Sequence, residues 1–92
     1  MNLNYVQTFV RIAENKSFSQ TARELYLTQP TVSCQIAHLE GDLGVRLFLR
    51  TTEGALLTEA GRRIYTYAKQ ITESAEHMYD AVSAGSSSSL SA

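Results

Sequence analysis

Apolar residues in the first part of the chain recur every three or four positions, which is the spacing of an amphipathic helix. The pair Asn15-Lys16 ends the first such stripe, which consists of Leu3, Val6, Phe9, Val10 and Ala13. Two further stripes consist of Phe18, Ala22 and Leu25 and of Val32, Ile36 and Leu39. The pattern predicts three helices, the last of which ends near Gly41.

Polar residues mark where the second and third helices begin. Either Ser17 or Ser19 can cap the second helix, and Ser17 has Gln20 three residues later, the spacing of a capping box. The chain then turns at Tyr26-Leu27-Thr28, whose threonine can cap the third helix. Pro30 falls in the first turn of that helix, where its missing N–H is not needed. A short helix, a tight turn and a second capped helix form a helix-turn-helix arrangement.

The sequence changes in character after the third helix. Leu47-Phe48-Leu49-Arg50 is compatible with a β-strand, Thr51-Thr52-Glu53-Gly54 has the composition of a turn, and Ala55-Leu56-Leu57 allows a second strand. The segment therefore predicts a small β-hairpin, too short to be stable without packing on the helices.

A long helix capped by Thr58 is predicted next, with its end at about Val82. Its length is about 25 residues, or ~37 Å at ~1.5 Å per residue. Apolar residues at alternating four- and three-residue spacing form a heptad seam along it, which consists of Ile64, Ala68, Ile71, Ala75, Met78 and Val82. In one interpretation the whole seam packs on the chain's own helices. We favour the other, in which only the first turns, at Ile64 and Tyr67, do so and the seam forms a homodimer interface.

The predicted fold class is mainly α: a winged helix-turn-helix, made of a three-helix body plus a two-stranded β-hairpin wing, followed by a long linker or dimerisation helix. These parts occupy residues 1–57 and 58–82. Residues 83–92, SAGSSSSLSA, are rich in serine, which predicts a flexible tail or hinge.

Composition and charge narrow the class of protein. The 92 residues suit one small domain, and the single cysteine excludes an internal disulfide. No apolar run is long enough to cross a membrane and no signal peptide is recognisable, so we expect a cytoplasmic protein. The net charge is −1, with a weakly basic segment 1–72 (+2) and an acidic remainder. Charge alone therefore does not predict binding to nucleic acid.

The third helix carries chemistry suited to a DNA groove. With its apolar stripe facing inward, the opposite face carries Pro30, Cys34, Ala37 and His38, flanked by Thr31 and Ser33, and Gln29 lies at the N-terminal tip. These side chains are mostly short and uncharged or amidic. Glutamine can pair with adenine N6 and N7, and serine or threonine can meet phosphate, a base edge or a thymine methyl group. Helix-turn-helix geometry alone is a weak signal, because many packed helical pairs share it.

The ordered residues along the chain resemble the LysR-type transcriptional regulators over essentially residues 1–82. The resemblance rests on Ser17-Phe18-Ser19, Ala22, Leu25, Thr28-Gln29-Pro30-Thr31-Val32-Ser33, Gln35-Ile36, Leu39-Glu40, Leu43-Gly44-Val45, Leu47-Phe48, Arg50-Thr51 and Leu57-Thr58-Glu59-Ala60-Gly61. It implies an N-terminal DNA-binding domain whose linker helix pairs antiparallel in a homodimer, and which binds interrupted inverted repeats of double-stranded DNA. It also implies that the effector ligand binds a further domain, not present in this sequence, and that the full-length protein can form higher oligomers.

Carried over by the resemblance, the groove-facing residues are Thr28, Gln29, Pro30, Thr31 and Ser33. Gln29 is the best candidate for base reading and Thr28 for a backbone contact. Arg50 enters the wing, where it could reach phosphate or a narrow minor groove. Ser17, Ser19, Gln20 and Arg23 could touch the DNA backbone from the second helix, although capping and ordinary surface explain them nearly as well.

Cys34 departs from the family, which commonly has a basic residue there. The loss of a charge-assisted contact predicts weaker or differently specified DNA binding. Oxidation of Cys34 could switch binding off. A small tolerated side chain is the better interpretation, since only His38 lies nearby.

The sequence shows no motif of an enzyme, and we predict neither a catalytic residue nor a cofactor. His38 and His77 are too far apart and too poorly accompanied for a zinc site. The competing hypothesis for function is a homodimerising protein-interaction module with only incidental DNA binding, in agreement with the near-neutral charge.

Overall fold

The computed structural model describes the backbone of residues 1–91 and the side chains of residues 1–83. Its elements follow in the order α1 (Leu3–Asn15), α2 (Phe18–Glu24), α3 (Gln29–Leu43), β1 (Phe48–Thr51), β2 (Gly54–Leu57) and α4 (Glu59–Ser91). The two strands pair antiparallel, with Phe48 opposite Leu57 and Thr51 opposite Gly54. The predicted fold class, a mainly α winged helix-turn-helix followed by a long helix, is confirmed.

The predicted helix starts are confirmed by side-chain caps. The hydroxyl of Ser17 accepts from the N–H of Gln20 at 3.0 Å, and that of Thr28 accepts from the N–H of Thr31 at 3.3 Å. Thr58 does more than cap, because its hydroxyl accepts from the N–H of Gly61 and also donates to the Arg46 carbonyl at 2.6 Å. The start of α4 is thereby tied to the segment that leads into the wing.

Two boundaries in the helix-turn-helix and wing differ from the predicted ones by one or two residues. The third helix continues through Gly41 to Leu43, and it ends where Gly44 adopts φ 72°, the left-handed conformation that closes many helices. The hairpin turn is tighter than predicted, since Thr51 and Gly54 both belong to the strands. Gly54 has φ 117° and lies so close to the Lys16 carbonyl that a β-carbon would not fit.

The core lies where α1, α2, α3 and the wing meet. Three buried phenylalanines meet there: the ring centroid of Phe48 lies 5.4 Å from that of Phe9 and 5.5 Å from that of Phe18. Leu3 was expected in the core and is 44% exposed, because the first turn of α1 lies at the edge of the body. Ile12, which the predicted stripe omitted, is completely buried instead.

Helix α4 extends to Ser91, beyond the end predicted at Val82. Once a helix has formed, each further residue adds a backbone hydrogen bond, so the helix continues through Gly85 although glycine is a weak helix former. The side chains of residues 84–92 lie outside the described part, and the predicted flexible tail, residues 83–92, stays a prediction. Within residues 1–91 no helix combines the length and apolar character needed to cross a bilayer.

A polar cluster fixes α4 on α1. The carboxylate of Glu14 accepts hydrogen bonds from Lys69 Nζ at 2.6 Å and from the Tyr65 hydroxyl at 3.1 Å. The Lys69 ammonium beside it holds the pKa of the Glu14 carboxyl below its ordinary value of 4.5. The same contact raises the pKa of Lys69, and burial together with Glu14 raises that of Tyr65.

This cluster predicts a pH dependence of stability. A carboxyl whose pKa is lowered by folding stabilises the fold above its unfolded pKa, and the contribution is lost as the pH falls through the folded pKa. We therefore expect Glu14→Gln to reduce slightly the free energy of unfolding at pH 7 and to flatten its decline below about pH 4.5. Urea unfolding at several pH values measures both, with Glu53→Gln on the exposed hairpin turn as control. An unchanged pH profile in Glu14→Gln would contradict the prediction.

Candidate nucleic-acid interface

The turn between α2 and α3 presents the start of α3 at the surface. Tyr26 adopts φ 57°, an unusual conformation for a large side chain, and is 96% exposed. The N–H of Leu27 donates to the Ala22 carbonyl at 2.9 Å and completes the reversal. The turn leads directly into α3, whose first residue, Gln29, lines one groove together with residues of α2 and of the wing.

The predicted groove-facing residues lie on one outer face of α3. Its inner face is anchored by Val32, Ile36 and Leu39, all buried. The outer face is exposed at Thr28, Gln29, Pro30, Thr31, Cys34, Ala37 and His38 and half-buried at Ser33. The structure thus brings together six of the seven predicted DNA-binding residues on one helix end.

The polar side chains of this face are already held by hydrogen bonds. The hydroxyls of Thr28 and Thr31 lie 2.8 Å apart. The hydroxyl of Ser19, on α2, donates to Oε1 of Gln29 at 3.1 Å. These contacts order the exposed end of α3 without any ligand.

Arg50, the seventh predicted residue, joins the wing to α3. Its guanidinium carbon lies 3.9 Å from the centroid of the Phe18 ring, a cation–π contact. Its Nη2 donates to the hydroxyl of Ser33. The exposed guanidinium therefore lies against the outer face of α3 and not at the tip of the hairpin.

An open groove of about 430 Å³ separates α2, the start of α3 and the wing. Lys16, Ser19, Gln29 and Arg50 line it together with residues of the hairpin turn. Two cations, an amide and several hydroxyls thus share one concave surface with the carboxylate of Glu53.

The charges elsewhere are largely balanced. Four of the eight lysines and arginines lie within 4 Å of a carboxylate, in the pairs Arg11–Glu24, Arg46–Glu40, Arg63–Glu59 and Lys69–Glu14. Helix α3 itself contains two acids and no lysine or arginine. Its chemistry is that of neutral hydrogen-bonding groups, with cations supplied from neighbouring elements.

A second surface follows the predicted seam of α4. Ile64 is half-buried, as expected for the first turns, but Tyr67, which was also expected on the body, is exposed. Ala68, predicted for the dimer interface, is instead buried in the chain's own core. Ile71 is 42% exposed, Met78 70% and Val82 68%. Leu3 joins this surface, lining with Tyr67, Ile71, Ala75 and Met78 an apolar groove of about 490 Å³. Apart from the half-buried Ala75, the seam beyond Ala68 is thus exposed in the described part of the chain.

The family model described as bacterial regulatory helix-turn-helix protein, lysR family, matches residues 3–62. The chain belongs to the LysR family. It is 43% identical over 81 residues to the uncharacterized HTH-type transcriptional regulator YxjO of Bacillus subtilis (strain 168), covering 88% of this chain and 26% of that protein. It is 40% identical over 82 residues to the nitrogen assimilation regulatory protein nac of Klebsiella aerogenes, covering 89% and 27%. The chain thus spans about a quarter of the length of these curated relatives.

Solved LysR-type structures share the fold. The crystal structure of the BenM_DBD/benA site 1 DNA complex is similar with a TM-score of 0.86 and 31% identity, over 95% of this chain and 98% of that one. The CbnR_DBD-DNA complex is similar with a TM-score of 0.83 and 32% identity, over 94% and 99%. The fold of this LysR-type chain is therefore that of domains solved together with DNA.

The interpretation of the sequence missed three features of this LysR-type surface. Ser19 was considered only for a DNA backbone contact, and its hydrogen bond to Gln29 was not expected. Phe18 was placed only in the apolar stripe of the second helix, and its contact with the Arg50 guanidinium was not expected. Lys16 was seen only as a helix interruption, yet it lines the groove. All three depend on how separate elements dock, for which the local sequence gives no signal.

Proposed function

We propose that this chain binds double-stranded DNA sequence-specifically as a homodimer and acts in transcription regulation. The observation that carries the proposal is the exposed, neutral, hydrogen-bonding end of α3 between α2 and the wing, in a fold shared with LysR-type domains solved with DNA. A recognition helix of this kind enters the major groove with its N-terminal residues against the base edges.

The roles of the residues follow from their positions. Gln29, Thr31 and Ser33 read base edges, while Pro30 and Cys34 provide apolar contact with the bases or the backbone. Thr28 and Arg50 hold the DNA backbone, Arg50 from a position beside Ser33. The cations Lys16 and Arg50 line the groove that receives a sugar–phosphate strand passing between α2 and the wing.

The partner on α4 is a second copy of the chain. Ile64 and Ala68 anchor the helix to its own body, and the exposed seam from Ile71 to Val82 packs on the partner's helix. A symmetric dimer presents two α3 helices to successive major grooves, so the DNA site is an interrupted inverted repeat. Effector binding and higher oligomers belong to a longer LysR-type protein with a further domain.

The alternative is an interaction module that dimerises through α4 and binds DNA only incidentally. The paired charges and the absence of a cation on α3 favour it. A protein that acts on the bacterial chromosome works in the cytoplasm, whereas the alternative does not require this.

Fluorescence anisotropy separates the two functions. A duplex selected from a random library by the protein is compared with a scrambled duplex over a salt series. A DNA reader binds the selected duplex more tightly, and its affinity falls steeply with salt because phosphate contacts release counterions. Failure of the selection to enrich any sequence, together with an intact dimer, would favour the interaction module.

Cys34→Arg is expected to strengthen DNA binding. Position 34 lies exposed on the outer face of α3, which has no cation of its own. One added phosphate contact per subunit would steepen the salt slope by about 0.9 for each subunit. Anisotropy titrations measure the slope, with Cys34→Ser as a neutral control and Thr66→Arg as a control for added charge elsewhere. Equal slopes for Cys34→Arg and the wild type would mean that position 34 does not face DNA.

A further inference from the structure

Gln29 is the one long amide at the tip of α3, and it does not extend freely into solvent. Its Oε1 accepts a hydrogen bond from the Ser19 hydroxyl at 3.1 Å, although both residues are exposed. The contact spans two different helices and ten positions of sequence. A glutamine side chain has three rotatable bonds, and the hydroxyl from α2 restricts them before any DNA is present.

Restricting the Gln29 side chain matters for the recognition of adenine. Glutamine pairs with adenine by accepting from N6–H through Oε1 and donating to N7 through Nε2. An amide oxygen has two lone pairs, so Oε1 can accept from Ser19 and from the base together, while both Nε2 hydrogens stay available. The Ser19 contact is therefore compatible with the bidentate pair, and a held side chain loses less conformational freedom on binding.

The hydroxyl of Ser19 has no part in starting α2. That task belongs to Ser17, whose hydroxyl accepts from the Gln20 N–H at 3.0 Å. Two other side chains on the outer face of α3 are also held by hydrogen bonds, Thr31 by the hydroxyl of Thr28 and Ser33 by Arg50. Each proposed base-reading side chain is thus held by a neighbour, and for Gln29 that neighbour comes from α2.

We propose that Ser19 is a specificity-determining positioning residue, which holds the Gln29 amide for the recognition of adenine in the major groove. The inference rests on the proposed function, because it requires that Gln29 reads a base. It assigns to α2 a part in sequence discrimination and not only in contact with the DNA backbone.

Binding of single and double variants to the selected duplex and to versions with one base pair replaced tests the proposal. Gln29→Ala identifies the base pair that Gln29 reads, because replacing that pair no longer weakens binding by this variant. We expect the pair to be A·T and discrimination at it to fall about tenfold or more. Ser19→Ala is expected to reduce discrimination at that same pair by about three- to tenfold, with unchanged affinity for a scrambled duplex. Ser19→Thr keeps the hydroxyl and restores the wild-type value.

The double variant separates positioning from direct contact. If Ser19 acts through Gln29, Ser19→Ala has no additional effect on discrimination in the Gln29→Ala background. Equal weakening on every duplex, persisting in that background, would identify Ser19 as a phosphate contact and overturn the proposal. The proposal would also be overturned if either Ser19→Ala or Gln29→Ala discriminated between base pairs as well as the wild type does, on a duplex that the wild type prefers. Failure of the wild type to prefer any duplex would overturn the proposed function itself. Thermal unfolding of each variant, unchanged from the wild type, verifies that the fold is intact.

Discussion

Gly61→Ala is expected to destabilise the fold by about 2–4 kcal/mol. Gly61 lies buried in the first turn of α4, and a β-carbon there would collide with the backbone carbonyl of Leu47 and crowd the Leu57 side chain. The Leu47 carbonyl cannot give way easily, because it accepts from the N–H of Thr58 at 3.0 Å. Room for one methyl group therefore requires α4 and the wing to separate.

Gly41→Ala is the matched control, since Gly41 is also a glycine inside a helix. Nothing lies within 4 Å of a β-carbon built there. Alanine in an exposed helix interior is favoured over glycine, so this variant is expected to gain about 0.5–1 kcal/mol. Urea unfolding of both variants gives the two free energies. Opposite signs support the close contact of α4 with Leu47, directly before β1, whereas a neutral Gly61→Ala would show that the contact relaxes without loss.

Ile71→Glu is expected to convert the proposed dimer to monomers and with it to remove most of the affinity for a two-half-site duplex. Ile71 is 42% exposed in the single chain, so glutamate disturbs the isolated body little. In the paired seam, however, the carboxylate would be buried without a partner, which weakens association by about a hundredfold or more. A monomer also loses the gain of about 10²–10⁴ that linked binding to two half-sites provides.

Light scattering after size exclusion measures the mass, and anisotropy with full and half-site duplexes measures DNA binding. Thr66→Glu places the same charge on an exposed position of α4 outside the seam. This control should remain dimeric and bind the full site as the wild type does. A dimeric Ile71→Glu protein would place the interface elsewhere on the molecule.

Features that depend on neighbouring residues were predictable from the sequence. The caps at Ser17, Thr28 and Thr58 and the inward stripe of α3 depend on groups within four residues of each other, and the structure confirms them. The end of α3 was less determinate, because two glycines, Gly41 and Gly44, are equally plausible stops. Which of them adopts the left-handed conformation depends on packing, and it is Gly44.

The hydrogen bonds and the cation–π contact that hold side chains at the outer face of α3 could not be predicted in the same way. Arg50 and Ser33 are 17 positions apart, and Ser19 and Gln29 are ten apart. Their meeting depends on the angle between α2 and α3 and on how the wing closes against Phe18. The sequence identified most of these residues as candidates but not the contacts between them.

Helix α3 contains two acids and no lysine or arginine, and this composition affects how a protein with the proposed function finds its site in a chromosome. Affinity for random sequence comes almost entirely from neutralised phosphates, and a genome offers of the order of 10⁶ competing positions or more. Because α3 itself adds no cation, the hold on such decoys comes from cations of neighbouring elements, such as Lys16 and Arg50. Under the proposed function, base reading by α3 and attraction to random DNA therefore depend on different residues.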